Sequence, residues 1–197
     1  MQIPFYTEYE AVDFSIMNNE IYPTTPERCP FKDCSMPVHL KKHGYYKRFF
    51  ISKNFVGVLY IRRYICPICG RTVSFLSYFC ISYFQYSALE ILNILYEFYH
   101  DVISLEKLIK KTKEELPFIE RRHVNFYRKR IMRNRKLIQY ALNIISPEFI
   151  FAGNILENRV WVKTFIETVY RLHAHVFLVD FSNITGKSFM TSQYIVV

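Results

Sequence analysis

Four cysteines in two closely spaced pairs, Cys29-Pro-Phe-Lys-Asp-Cys34 and Cys66-Pro-Ile-Cys69-Gly70, constrain this chain more than any other feature. Four residues separate the first pair, two the second, and thirty-one lie between the pairs. Each pair presents two thiolates from one tight turn, and apposing the turns supplies four ligands for a tetrahedral Zn²⁺. Metal binding then adds folding free energy to a segment too small for a full core, so the expected role of the ion is structural. Gly70 directly follows the second pair and permits a left-handed turn. The first pair is less regular, with Ser35 and Met36 where a glycine is expected. Five cysteines, an odd number, and no recognisable signal peptide argue against a disulfide framework. His39 and His43 are alternative ligands but read more simply as surface residues. Cys80, in an aromatic run without a partner, reads as a buried thiol.

The charge of the chain is concentrated. Lys107 to Lys136 holds twelve Lys or Arg and three Glu, which accounts for the whole formal charge of +9. Such a concentration is the electrostatic footprint of a polyanion, most often nucleic acid. Thr72 to Leu89 carries no charge over eighteen residues, long enough for a membrane span. Its serines and Tyr78, Tyr83 and Tyr86 speak against one, and a buried connector between two units is expected instead. No membrane or small-molecule partner is expected.

Along the chain the reading is α+β: an N-terminal zinc-ribbon β-hairpin followed by a mostly α-helical region containing a helix-turn-helix. Residues 1–26 are an acidic, irregular arm, and 27–80 form the ribbon. Residues 81–145 are the helical DNA-binding region, and 146–197 a helical packing region and tail. Gly44 to Ile51 and Val58 to Ile65 read as antiparallel strands around a turn at Ser52 to Gly57, with Arg71 to Phe75 as a third strand. Lys47, Arg48, Arg62 and Arg63 on this hairpin are either phosphate contacts or solvated edge charges. From Ser87 the period becomes helical. Ser87 and Glu90 fit a capping box for a helix to about His100, and Ser104 caps a second, amphipathic helix. After Pro117 a third helix starts near Ile119 and meets no proline or glycine before Pro147.

On that third helix Val124, Tyr127, Ile131 and Ile138 share one face, while Arg122, Asn125, Lys129, Arg133 and Lys136 cluster opposite. A short helix followed by a basic helix is the order of a helix-turn-helix, whose second helix enters the major groove. Arg122, Asn125 and Lys129 are then candidate base readers. Arg121, Arg128, Arg130 and Arg133 are candidate phosphate contacts. RNA is an alternative ligand. Beyond Pro147, Phe149 to Phe151 and Val160 to Leu172 suggest further helices with Trp161, Phe165 and Val169 inward. Val176 to Asp180 is a strand or a helix end, and Gly186 to Gln193 a loop.

His43-Gly-Tyr-Tyr-Lys-Arg48, Ile61-Arg-Arg-Tyr-Ile-Cys-Pro-Ile-Cys-Gly-Arg-Thr-Val-Ser-Phe-Leu76 and Tyr83-Phe-Gln-Tyr-Ser87 resemble the zinc-ribbon region of small firmicute transposase-like proteins, a family of unknown function. They are also similar to the zinc finger and helix-turn-helix region of ISL3-type transposases. The resemblance covers roughly residues 27–140. It implies that Cys29, Cys34, Cys66 and Cys69 hold the metal, and that the protein recognises duplex DNA for a mobile element in the bacterial cytoplasm, nucleoid-associated, alone or with itself or a transposition partner. The first pair, with four intervening residues, departs from the family's usual two. Transposases of that kind cut DNA with three carboxylates on an RNase H-like fold. Only Glu148, Glu157, Glu167 and Asp180 follow the helical region here, without alternating strands, so no nuclease centre is expected. Four thiolates also leave no open metal position for hydrolysis. The alternative reading is a protein-interaction scaffold in which the basic face is incidental.

Overall fold

A computed structural model describes residues 1–101, 103–147 and 158–192. The fold is mixed α+β, with a four-stranded sheet and six α-helices among the described residues. Strands β2 (Lys41–Ile51) and β3 (Val56–Ile65) form the expected antiparallel hairpin, closed where Ser52 N–H donates to the Phe55 carbonyl at 2.8 Å. β4 (Thr72–Ser77) adds antiparallel to β3, so the third strand of the sequence reading is real and slightly longer. Gly44, at φ 73°, takes up the bulge between Lys42 and Tyr45 in β2.

The first 26 residues are not an irregular arm. β1 (Gln2–Phe5) completes the sheet parallel to β4, in the order β1-β4-β3-β2, and Ala11–Ser15 forms a 3₁₀ turn that delivers Phe14 to the core. Phe14 is fully buried, with its ring 5.5 Å from Tyr22 and 5.6 Å from Phe79. Acidic residues flank these positions, and composition masks the apolar anchors. Phe5, Phe50, Leu59, Ile61 and Phe75 join the same cluster. Burying a side chain of that size contributes about 1.5–3 kcal/mol, which explains why an aromatic-rich segment with little helix is compact.

Six helices follow: α1 (Ala88–His100), α2 (Leu105–Thr112), α3 (Arg121–Arg133), α4 (Arg135–Ile145), α5 (Asn158–Arg171) and α6 (Ala174–Thr185). Ser87 caps α1 by accepting the Leu89 N–H at 3.2 Å, but Glu90 does not close a capping box. Its carboxylate accepts the Lys53 backbone N–H at 2.9 Å instead, tying α1 to the hairpin turn. Ile51 strengthens that tie. Its N–H donates to the Gln85 carbonyl and its carbonyl accepts from Ser87, and its side chain lies in the helical core.

Thr72 to Leu89 is not a span; it is buried, as expected, and consists of β4 plus a mostly buried turn into α1. No helix among the described residues is long and apolar enough to cross a membrane. Cys80 is buried at 6% exposure, and burial pushes its thiol above the ordinary range.

The helical core is built on Leu92, Leu95, Leu108, Val124, Ile131, Ile138, Trp161, Phe165 and Phe177. Trp161 and Phe165 stack at 5.7 Å, and both are fully buried with Val169, as their spacing predicts. Val176 to Asp180 lies inside α6, which resolves that segment as helix. Phe149 to Phe151, Glu148 and Glu157 fall outside the described residues.

The long third helix of the sequence reading is divided. Asn134 separates α3 from α4, is fully buried, and donates through Nδ2 to the carbonyls of Phe189 at 2.7 Å and Thr191 at 3.0 Å. The break coincides with a polar side chain hydrogen-bonded to the chain beyond α6. No proline or glycine marks the site in the sequence.

Candidate metal centre and basic helix

The two cysteine pairs meet. Cys29, Cys34, Cys66 and Cys69 bring their sulfurs within 4.8 Å of one another, and the Cys29 and Cys69 sulfurs are 3.8 Å apart. Four sulfurs placed tetrahedrally about an ion at ~2.3 Å would be about 3.8 Å from each other. The cluster is therefore compatible with a metal site. His39 and His43 are exposed and are not part of the group.

Each turn is shaped locally. In the second pair, Gly70 at φ 69° donates its N–H to the Cys66 carbonyl at 2.9 Å, and the Cys66 N–H donates to Arg71. In the first, Cys34 and Ser35 both donate to the Phe31 carbonyl, at 2.9 and 2.8 Å. Ser35 adopts φ 44° in the left-handed region, so it performs the turn expected of glycine. The irregular first pair thus reaches the standard shape at some backbone cost.

Arg71 joins the turns, and the sequence reading assigned it only to a strand. Its guanidinium is 2.7 Å from Asp33 Oδ1 and lies 4.0 Å over the Phe31 ring, and its charge stands beside Cys69. These contacts hold the Cys69 thiol well below its ordinary range and the Asp33 carboxyl below the usual carboxylate range. Burial pushes the Cys29 thiol the other way. Cys69 and Cys29 are thus shifted in opposite directions. Metal binding needs thiolates, so it is coupled to proton release.

The hairpin cations divide into two kinds. Arg48 donates to the carbonyls of Ile81 and Phe84, and Arg62 is buried against the Tyr45 ring at 4.6 Å. Both are committed to the fold and are neither phosphate contacts nor solvated edge charges. Lys47 is exposed on the edge strand.

On α3, Val124, Tyr127 and Ile131 are buried, and Arg121, Arg122, Lys129 and Arg133 are exposed. The helical period sorted these residues correctly. Arg121 pairs with Glu106 at 3.5 Å and Arg122 with Glu120 at 2.8 Å, both at exposed positions where such pairs contribute little. Arg128 is not a free surface cation: it stacks 4.0 Å over Phe98 and donates to Asn125 Oδ1 at 3.2 Å. Asn125 is correspondingly half-buried. Arg130 likewise lies 5.0 Å over Phe126.

The link between α2 and α3, residues 113–120, is longer than the three or four residues of a helix-turn-helix turn. It is anchored by Leu116 and Ile119, both buried. The N–H of Glu120 donates to His123 Nδ1 at 3.0 Å, satisfying one donor at the start of α3. Of the late carboxylates, Glu167 is exposed and 3.8 Å from Lys163.

No family model, curated protein or solved structure matches the chain. What the site does is therefore argued from its own geometry.

Proposed function

We propose that this protein is a DNA-binding protein of transposase-like origin, stabilised by one structural Zn²⁺ and contacting duplex DNA through the basic face of α3, without a nuclease centre of its own. The observation that carries this reading is the division of α3. Its apolar side is sealed in the core while Arg121, Arg122, Lys129 and Arg133 stay at the surface. The carboxylates near Arg121 and Arg122 are exposed and exchange readily for phosphates. Four cysteine sulfurs within 4.8 Å of one another favour zinc over harder cations, which prefer oxygen. They also leave no open position for a reacting water.

In this reading the zinc cluster fixes the ends of the sheet, and the sheet holds the start of α1 through Ile51 and Glu90. α1 in turn packs against α3. The metal thus supports the binding helix from a distance and touches no base.

Binding to duplex DNA, measured by fluorescence anisotropy across a salt series, tests the proposal. The logarithm of affinity should fall linearly with that of salt. An Arg121→Ala, Arg122→Ala double variant should lower the slope by about two, one per lost phosphate contact. An unchanged slope would remove α3 from the interface. One equivalent of zinc by elemental analysis, lost in Cys66→Ser, is expected alongside.

A second reading, a protein-interaction scaffold, draws on one observation. Phe49, Val56 and Val58 are 43%, 46% and 37% exposed on one face of the hairpin tip, beside the open edge of β2. Salt-insensitive self-association without DNA binding would favour it.

A further inference from the structure

Tyr83 is the most exposed large hydrophobic side chain among the described residues, at 99%, and it stands on a left-handed backbone at φ 68°. A bulky residue there is an outlier, and the third position of a turn with positive φ ordinarily belongs to glycine or asparagine. The turn is Ile81 to Phe84, closed where the Phe84 N–H donates to the Ile81 carbonyl at 3.0 Å. Arg48 braces both ends by donating from β2 to the carbonyls of Ile81 and Phe84. A braced turn therefore holds in a strained conformation a ring that gains almost no packing from the fold. Strain that packing does not explain points to a ligand.

The surroundings of the turn say which one. A cavity of about 720 Å³ opens beside it, against β1, β4 and the segment that follows α6. Ser82, Tyr83 and Phe84 line it with Arg130 of α3, Ser182 of α6 and Lys187. None of the described residues in its wall is acidic, and neither Arg130 nor Lys187 forms an ion pair among the described residues. Phe84 packs on Phe126 with ring centres 5.6 Å apart, and the Arg130 guanidinium lies 5.0 Å from the centre of the Phe126 ring. Phe126 is itself 41% exposed. Exposed rings interleaved with unneutralised cations around one concave surface suit a strand with stackable bases and a phosphate backbone.

We infer that this surface binds an unpaired DNA strand, with one base stacked on Tyr83 and the neighbouring phosphates facing Arg130 and Lys187. Within a duplex the base faces cover one another, so only an unpaired strand offers one to a protein ring. The Ser82 and Ser182 hydroxyls supply neutral donors for sugar and phosphate oxygens. The choice of DNA over RNA rests on the proposed reading of α3, because stacking serves both; the surface itself does not depend on that reading.

Fluorescence anisotropy on the full zinc-loaded chain, with labelled dodecathymidylate, dodecauridylate and a blunt DNA duplex, tests the inference. Tyr83→Ala should weaken dodecathymidylate binding about tenfold, the loss expected for one stacked base. Tyr83→Phe should keep the affinity, since the ring face makes the contact. Lys187→Gln should lower the salt slope for the single strand by about 0.7, one phosphate contact. Tyr83→Gly is the control for folding. It should hold or raise the thermal midpoint by relieving the strain at φ 68°, yet bind the single strand as weakly as Tyr83→Ala.

Wild-type affinity for dodecathymidylate in both Tyr83→Ala and Tyr83→Gly would overturn the inference, as would no binding by the unaltered protein. Dodecauridylate bound about tenfold more tightly than dodecathymidylate would overturn the assignment to DNA. Arg121 and Arg122 do not line the cavity, so the two readings fail separately. Duplex binding that depends on them without single-strand binding would remove this inference and leave the proposed function standing. Single-strand binding that depends on Tyr83 without duplex binding would do the reverse.

Discussion

Replacing Asn134 with alanine should destabilise the helical half of the protein by about 1–2 kcal/mol. The side chain is fully buried, and its Nδ2 makes hydrogen bonds of 2.7 and 3.0 Å to the carbonyls of Phe189 and Thr191. Each such bond contributes roughly 0.5–1.5 kcal/mol net, and a buried carbonyl left without a donor costs about 1–3 kcal/mol. Phe189 is 1% exposed, so its carbonyl region is dry, whereas Thr191 is only half-buried and can recruit water. One full penalty plus one partial loss gives the lower part of the combined range. Asn134 Oδ1 is buried without a partner, and losing that orphaned acceptor offsets part of the cost.

Asn134→Asp should be worse than alanine, because it turns a donor into a charged acceptor facing two carbonyl oxygens. Urea unfolding followed by tryptophan fluorescence measures this directly, since Trp161 is the single tryptophan and is fully buried in the same core. An alanine variant within about 0.5 kcal/mol of wild type, the spread of ordinary surface changes, would refute the argument. An aspartate variant no worse than alanine would refute it as well.

Two further perturbations test local features. His123 must keep Nδ1 unprotonated to accept the Glu120 N–H, and burial, with Arg122 beside it, lowers its pKa. Because the folded value lies below the unfolded one, the contribution is present above the ordinary histidine pKa of about 6.5 and is lost as pH falls through and below it. His123→Ala should therefore cost up to about 1 kcal/mol, the size of a helix cap, in urea unfolding at pH 7.5. The cost should shrink toward zero at pH 5, and an equal cost at both would remove the histidine from the cap. Ser35→Gly should raise the thermal midpoint of the zinc-loaded protein. At φ 44° a Cβ costs on the order of 1 kcal/mol that glycine does not pay. A lowered midpoint would mean that the serine side chain, rather than the turn, is what the position requires.

How much of this could be read in advance depended on the range of the interaction. The cysteine spacing placed both turns, and the Tyr-, Phe-, Ile- and Val-rich runs on either side of Ser52 to Gly57 placed the hairpin between them. The 3.6-residue period of Val124, Tyr127 and Ile131 sorted α3 into buried and exposed faces before any coordinates. Both patterns are local, set by side chains a few residues apart on one element. Phe5 and Phe14 escaped notice because single aromatics in an acidic segment carry no period, and only the waiting sheet gives them a place. Arg71 likewise looked like an ordinary strand residue, because its partner Asp33 comes from the other knuckle, 38 residues away.

The sequence by itself determined the α+β class, the four-sulfur cluster, the hairpin and the polarity of the basic helix, since adjacency along the chain is enough to specify each. Tertiary structure alone decided which cations are available. Arg48 and Arg62 are consumed by the fold, Arg128 is laid on Phe98, and Arg159 is carried from α5 to the flank of α3. A positive charge reads the same in a sequence whether it faces solvent, a ring or a carbonyl. Its neighbours come from distant segments, and those neighbours fix what it can bind.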